Sequence, residues 1–281
     1  MKIDVMQVPY DSGQRSVRMG AGPLHLVQKG LLDRLTEAGH TIRLVEVESR
    51  LEFATEISVA FELAATLAAA VRQANEDFRF PLVLAGNCIS AVGTVAGCEG
   101  QPAVVWFDAH SDLNTPETSL SGYLDGMALS ALIGRCWSMI TRKRVGLKAV
   151  PERLVALVGT RDLDQVEREY LTNSPIVVLP SSSTDSALED TLKRLEIAGA
   201  IYIHVDLDVL DPSVGRANLF AAPCGLQVEQ VVSMIDRMGA RIPIAAAALT
   251  AYDPSVDSTG SMLDAAFRIG RAIVDAASRH R

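Results

Sequence analysis

Eight short apolar runs, rich in β-branched residues, recur along the chain with helical patterns between them: KIDVMQV, TIRLVEVE, FPLVLAG, PAVVWFDAH, RLVALVGT, PIVVLP, AIYIHVDLDVL and IAAAALTAY. Runs that are apolar on both faces suit parallel strands, because a parallel sheet is covered by helices on either side. The intervening patterns predict helices over Pro23 to Ala38, Glu56 to Ala74, Gly126 to Ile133, Leu163 to Leu171, Ser186 to Ile197, Val228 to Met238 and Gly260 to Ser278. The last loop before the helix at Ser186, PSSSTDS, offers Thr184 or Asp185 as its cap. No Pro/Gly/Ser-rich linker divides these units, so residues 1–281 read as one domain. The expected architecture is α/β, a three-layer αβα sandwich around a mainly parallel, doubly wound sheet of about eight strands. A closed eight-stranded barrel is the alternative, and the widely varying element lengths favour the open sheet. Either way, ligands sit beyond the carboxyl ends of the strands.

Composition narrows the partner. The chain is 48% hydrophobic but only 5% aromatic, so its core must be built from Ala, Val, Ile and Leu. A formal charge of -8 and a sequence pI near 5.2 argue against a nucleic-acid or anionic-membrane surface and leave a small molecule as the expected partner. MKIDVMQVPY reads as a strand and not as a signal peptide, and the apolar stretch from Leu63 to Val71 falls short of the ~20 residues that cross a bilayer. A cytoplasmic protein without a membrane span is expected. Cys88, Cys98, Cys136 and Cys224 form no CxxC pair; the last three are expected to be buried small hydrophobes.

The chemistry concentrates behind two strands. Asp108-x-His110-x-Asp112 follows PAVVWF, and Asp206-x-Asp208 closes YIHV. In extended chain the period of two would put each set on one face, and two adjacent strands would bring four carboxylates and an imidazole together. Either motif alone is equally at home in a capped turn. Together, at buried strand ends, they call for a cation, and oxygen donors with one nitrogen suit manganese or magnesium before zinc.

DAHSDLNTP, SGYLDGM and HVDLDVLDPS, in this order and spacing, resemble the ureohydrolase family of arginase, agmatinase and formimidoylglutamase. GQRSVRMGAGP near the start and YDPSVD near the end extend the resemblance over nearly the whole chain. It implies an arginase-like fold, hydrolysis of a guanidino or amidino carbon–nitrogen bond at a manganese pair, and a trimer or hexamer. By position, Asp108 and Asp206 would contact both metals, His110 and Asp208 would complete one site, and Asp112 would belong to the other. That second site takes its remaining ligand from a GGDH histidine in the family, where AGNCIS supplies Cys88. One ion is therefore expected to be held firmly and a second to be labile or absent. Cys88 itself is open to three readings: soft ligand, buried bystander, or nucleophile with a thiol pKa lowered by a helix start.

Two further departures bear on the substrate. Asp125 stands where arginases relay protons through a histidine; it would need a raised pKa to serve, and a solvated loop aspartate is the plainer alternative. Ala251 lies where the family binds guanidinium with a glutamate, so a less basic head group such as an N-hydroxyguanidine is favoured. Asn114, Ser119 and Ser121 match the loop that holds an α-carboxylate, and Asp164 matches the residue that senses an α-amino group, unless it is merely a helix cap. Tyr123 replaces an asparagine. The set is most similar to the N-hydroxy-L-arginine amidinohydrolases, which release hydroxyurea. A catalytically silent relative that binds an amino acid or a partner, and a metal-free hydrolase using Cys88 covalently, are the rival readings.

Overall fold

The computed structural model describes residues 1–51 and 54–281, and in it the apolar runs form eight strands. These are β1 (Lys2–Val8), β2 (Thr41–Glu46), β3 (Phe80–Ala85), β4 (Ala103–Phe107), β5 (Val155–Val158), β6 (Val177–Leu179), β7 (Ile201–Asp206) and β8 (Ile244–Thr250). They pair in the order β2-β1-β3-β8-β7-β4-β5-β6, parallel throughout. The sheet is open. Its edges are the mostly solvent-facing β2 and the three-residue β6, both poor templates for further pairing. Every residue of β3, β4, β5 and β7 is buried, as strands covered on both faces require.

The covering helices are α1 (Gly22–Gln28), α2 (Leu31–Glu37), α3 (Glu56–Glu76), α4 (Ser90–Gly97), α5 (Ala128–Leu132), α6 (Gln165–Asn173), α7 (Asp185–Leu195), α8 (Val228–Arg241) and α9 (Ser261–Ala277). Thr184 caps α7, its hydroxyl accepting from the Ala187 N–H. The single helix expected over Pro23 to Ala38 is two, because Gly30 takes φ +93° and turns the chain between them. The sequence reading has no counterpart to α4, and the packing explains why. SAVGTVAG carries no charge and is buried at all but one position, so it has no polar face to create a helical period. Its glycines let it lie directly on α3: a Cβ at Gly93 would sit 2.4 Å from the Ala64 carbonyl oxygen, and one at Gly97 2.5 Å from Val71 Cβ.

The 21-residue α3 has an 18-residue window of mean hydropathy 1.3, so by length and composition it could cross a bilayer, contrary to the expectation that no segment qualifies. Phe61, Leu63, Leu67 and Val71 instead face the protein core, where α3 packs on α4, β1 and β3. Of the cysteines expected inside, Cys136 is buried, Cys98 is partly covered and Cys224 is exposed. Cys224 lies in the irregular stretch between β7 and α8, which the strand-and-helix pattern does not place.

An antiparallel hairpin, Tyr10–Asp11 with Gln14–Arg15, leaves the end of β1 and folds over the exit of β3. The contact depends on Gly86, where a Cβ would lie 2.2 Å from the Tyr10 carbonyl oxygen and 2.8 Å from Gly20 Cα. Backbone atoms cannot yield as a side-chain tip can. Gly86→Ala is expected to destabilise the protein by about 1–3 kcal/mol, read as a lowered thermal midpoint.

Candidate metal centre

Strands β3, β8, β7 and β4 are consecutive neighbours, and all four end at one cavity of about 320 Å³. Cys88 reaches it from β3, Ala251 from β8, Asp206 and Asp208 from β7, and His110 and Asp112 from β4, with Asp108 buried beneath. The adjacency of β4 and β7 is the one expected. The local geometry is not. The backbone leaves the extended conformation after Phe107, bends at Ala109 and His110, and enters the left-handed region at Asp112 (φ +51°). A loop reversal, not strand alternation, therefore gathers the three side chains.

That reversal is pinned by hydrogen bonds. The Arg161 and Asp162 N–H groups both donate to the Ala109 carbonyl, at 2.8 and 2.9 Å. Thr160 Oγ1 donates to the Asp108 and His110 carbonyls, each at 3.1 Å. Asp206 ends β7 and accepts from the Asp208 N–H at 2.8 Å, setting the short turn that presents Asp208. Asp208 accepts from the Ala109 N–H at 3.2 Å and from Asn218 Nδ2 at 3.2 Å, and Asp108 from Trp106 Nε1 at 3.0 Å.

Two groups of donor atoms result, each mutually within 4.8 Å: Cys88, Asp108 and Asp112, and Asp108, His110 and Asp208. Asp108 belongs to both. Asp206 joins through Cys88, whose thiol donates to Asp206 Oδ2 at 3.1 Å. Beneath them Trp106 stacks on His204 with ring centroids 3.6 Å apart. His204 is held by Tyr202 and Thr250 and is not a donor to the cluster, and burial lowers its pKa to about 3.

Asp108, Asp112, Asp125, Asp206 and Asp208 are all buried, yet among the described residues no lysine or arginine pairs with any of them. The nearby Arg161 guanidinium is bound to the carbonyls of Gly159, Asp208, Val209, Leu210, Ala222 and Pro223. His110 is the one cationic partner, and although burial opposes its charge, Asp208 and Asp108 lift its pKa to about 10. Burial and then Asp208 raise Asp108 to about 6; burial and then Asp108 raise Asp112, and burial and then Asp208 raise Asp206, both well above the carboxylate range. Asp112 Oδ2 is buried with no hydrogen-bond partner. An orphaned buried oxygen beside mutually repelling carboxylates fits a divalent cation, and the donor set suits a hard or borderline one.

Cys88 departs from the lowered-pKa expectation. Helix α4 begins two residues later, and burial followed by Asp125, Asp206, Asp112 and Asp108 pushes the thiol pKa up. Asp125 is no solvated loop aspartate. It is buried and accepts from the Ile89 N–H and from Asn87 Nδ2, both at 2.9 Å, and burial raises it to about 8. Tyr123 donates its hydroxyl to Asp11 at 3.1 Å and stacks on Phe220 at the cavity wall. At the rim, Asn114 Nδ2 donates to Asp164 at 2.8 Å. Ser119 is half-buried and Ser121 exposed, and each accepts a backbone N–H within its own loop. Asp164 stands before α6, as the capping alternative holds, and lines the cavity as well.

Sequence reasoning missed Asn87, Glu167 and Asn218. Glu167 accepts from Ser111 Oγ at 2.6 Å and from the Leu113 and Asp164 N–H groups, tying the β4 loop to α6. Its signal was the Asp164-x-x-Glu167 spacing of a capping box. Asn87 stands inside the AGNCIS segment already singled out, whereas Asn218 lies in an irregular loop with no pattern around it.

A family model described as the arginase family matches residues 1–274. The chain belongs to the arginase family. Curated relatives include arginases from Bacillus subtilis (strain 168), 32% identical over 75% of this chain and 76% of that protein, and from Bacillus caldovelox, 34% identical over 75% and 77%. The crystal structure of Bacillus subtilis arginase superposes with a TM-score of 0.87 at 26% identity, covering 98% of each chain. This arginase-family chain thus has the family's fold over essentially its whole length, and the family consists of hydrolases acting on carbon–nitrogen bonds.

A pH dependence follows for metal-free protein. Folded Asp108 and Asp125 keep their protons up to about pH 6 and about pH 8, against ~4 for a free aspartate. Folding therefore takes up protons, a contribution complete below about pH 4 and lost as pH rises through 6 and 8. Thermal midpoints in EDTA are expected to fall over that range, and added manganese to restore most of the loss at pH 8 by replacing protons with a cation.

Proposed function

We propose that this protein is a manganese-dependent amidinohydrolase acting on an arginine-like amino acid with a weakly basic head group, such as N-hydroxy-L-arginine, in the cytoplasm. The observation that carries the reading is the pair of donor groups sharing Asp108 at the base of the cavity, with no lysine or arginine paired to their carboxylates among the described residues. Asp108, His110, Asp206 and Asp208 would hold one ion, and Asp112 with Cys88 a second, weaker one, since a protonated thiol must first lose its proton. Bound manganese would supply Lewis acidity and lower the pKa of the attacking water.

The remaining steps fall to this chain's side chains. Asn114, Ser119, Ser121 and Asp164 at the rim offer hydrogen bonds and a negative charge to the amino-acid end. Ala251 offers no carboxylate at its own point of the wall, so a neutral hydroxyguanidine enters there without losing a counter-charge that a guanidinium needs. Water adds to the central carbon, the bond to a nitrogen breaks, and Asp125, protonated up to about pH 8, gives its proton to the leaving nitrogen. Hydroxyurea or urea and an amino acid such as ornithine are the products.

A panel of guanidino and amidino compounds, run with manganese and with EDTA, tests this. Release of hydroxyurea from N-hydroxy-L-arginine should exceed release of urea from arginine, and EDTA should abolish both. No product from any compound, with substoichiometric metal, would instead identify a silent relative; activity surviving chelation would point to covalent catalysis by Cys88. Two variants sharpen the assignment. Cys88→His should raise the manganese content measured by elemental analysis, and Ala251→Glu should move kcat/KM toward arginine, by roughly tenfold for one charged hydrogen bond.

A further inference from the structure

Asn87 and Ile89 flank Cys88, and between them they grip both oxygens of Asp125. The Ile89 N–H donates to Oδ1 and Asn87 Nδ2 to Oδ2, each at 2.9 Å. The Asn87 amide is itself fixed in orientation, because its Oδ1 accepts from the Ser12 N–H at 3.0 Å while Nδ2 also approaches Tyr123 Oη at 3.1 Å and Asp11 Oδ1 at 3.3 Å. Asp11 is fully buried, so this amide nitrogen stands between two buried carboxylates that would otherwise face each other.

We propose that Asn87 is a positioning residue for Asp125: its neutral amide, together with the Ile89 N–H, clamps the two carboxyl oxygens at a fixed offset from Cys88 and suits a carboxyl side chain, not an imidazole, to position 125. The chemistry is specific to the amide. An aspartate at 87 would have the same shape, but it would set a third carboxylate against Asp11 and Asp125 with no proton to donate. Such an aspartate would pair with an imidazole at 125 instead. Residues 87 and 125 therefore form one functional pair with two workable combinations, amide with acid and acid with imidazole. Because the three-residue segment 87–89 also carries Cys88, the clamp ties the proton-transfer group to the metal-facing wall without either touching the other's ligands. The inference rests on the hydrolase reading for its kinetic consequence and on geometry alone for the pairing.

The test uses the manganese-loaded enzyme and four variants, Asn87→Ala, Asn87→Asp, Asp125→His and the double variant Asn87→Asp/Asp125→His, with metal content checked for each. Both Asn87 variants should lower kcat on the order of tenfold, the scale of a lost buried hydrogen bond, with KM little changed. The double variant should exceed each of its parent single variants in kcat, an outcome that general loss of folding cannot produce. A double variant no better than its parents, or an effect confined to KM, overturns the proposal. A second cycle of thermal midpoints, Asn87→Ala, Asp125→Ala and the two combined, reads the pairing without turnover and so separates it from the hydrolase reading. Shifts that fail to add support the clamp even if wild-type protein hydrolyses nothing on the panel, and strictly additive shifts overturn it.

Discussion

Five buried aspartates beside one half-buried histidine, with no arginine or lysine paired to them among the described residues, form the constraint around which the rest of this structure is arranged. Like charges withdrawn from water and left to face one another cost several kcal/mol each unless protons or cations intervene. The fold accepts that cost locally and offsets it with rigidity. Trp106, Thr160, Asn218 and the amides around Ala109 and Asp208 hold the carboxylates in place, so a cation finds its donors already arranged. The raised proton affinities of the cluster express the same tension. Protons occupy, in metal-free protein, the role that the donor set suits a divalent ion to fill.

The sheet order explains why such a cluster can exist at all. Parallel strands send every carboxyl end to one side, and the order β3-β8-β7-β4 at the middle brings four chain segments far apart in sequence to a single point. Cys88, Asp125 and Ala251 all line the resulting cavity. The architecture is thus that of the arginase family.

Much of this was legible in the sequence. The eight apolar runs marked the strands because both-sided burial leaves an unbroken hydrophobic signal, and the paired acidic motifs marked the site because charge at buried strand ends is costly. What escaped was structure without periodic contrast. Helix α4 is apolar on every side, the break at Gly30 depends on one dihedral angle, and the path from Asp108 to Asp112 is a bend that mimics strand alternation in its spacing alone. Of the three readings open for Cys88, the lowered pKa fails for a related reason: a helix start is visible in a sequence, whereas the four carboxylates around the thiol come from three segments and meet only in three dimensions. Asn87 and Asn218 escaped because an isolated amide carries no pattern.

The placement of the donors at the ends of three of the four innermost strands also bears on how the protein fluctuates. Partial opening starts where the hydrogen-bond ladder is one-sided, at β2 and β6, each set apart by one strand from the four that end at the cavity. Amide protons of the edges can therefore exchange with solvent through small excursions, whereas β4 and β7 are held in the ladder on both sides. A site supported in this way keeps its shape through the commonest breathing motions, and its lifetime is that of the folded chain itself.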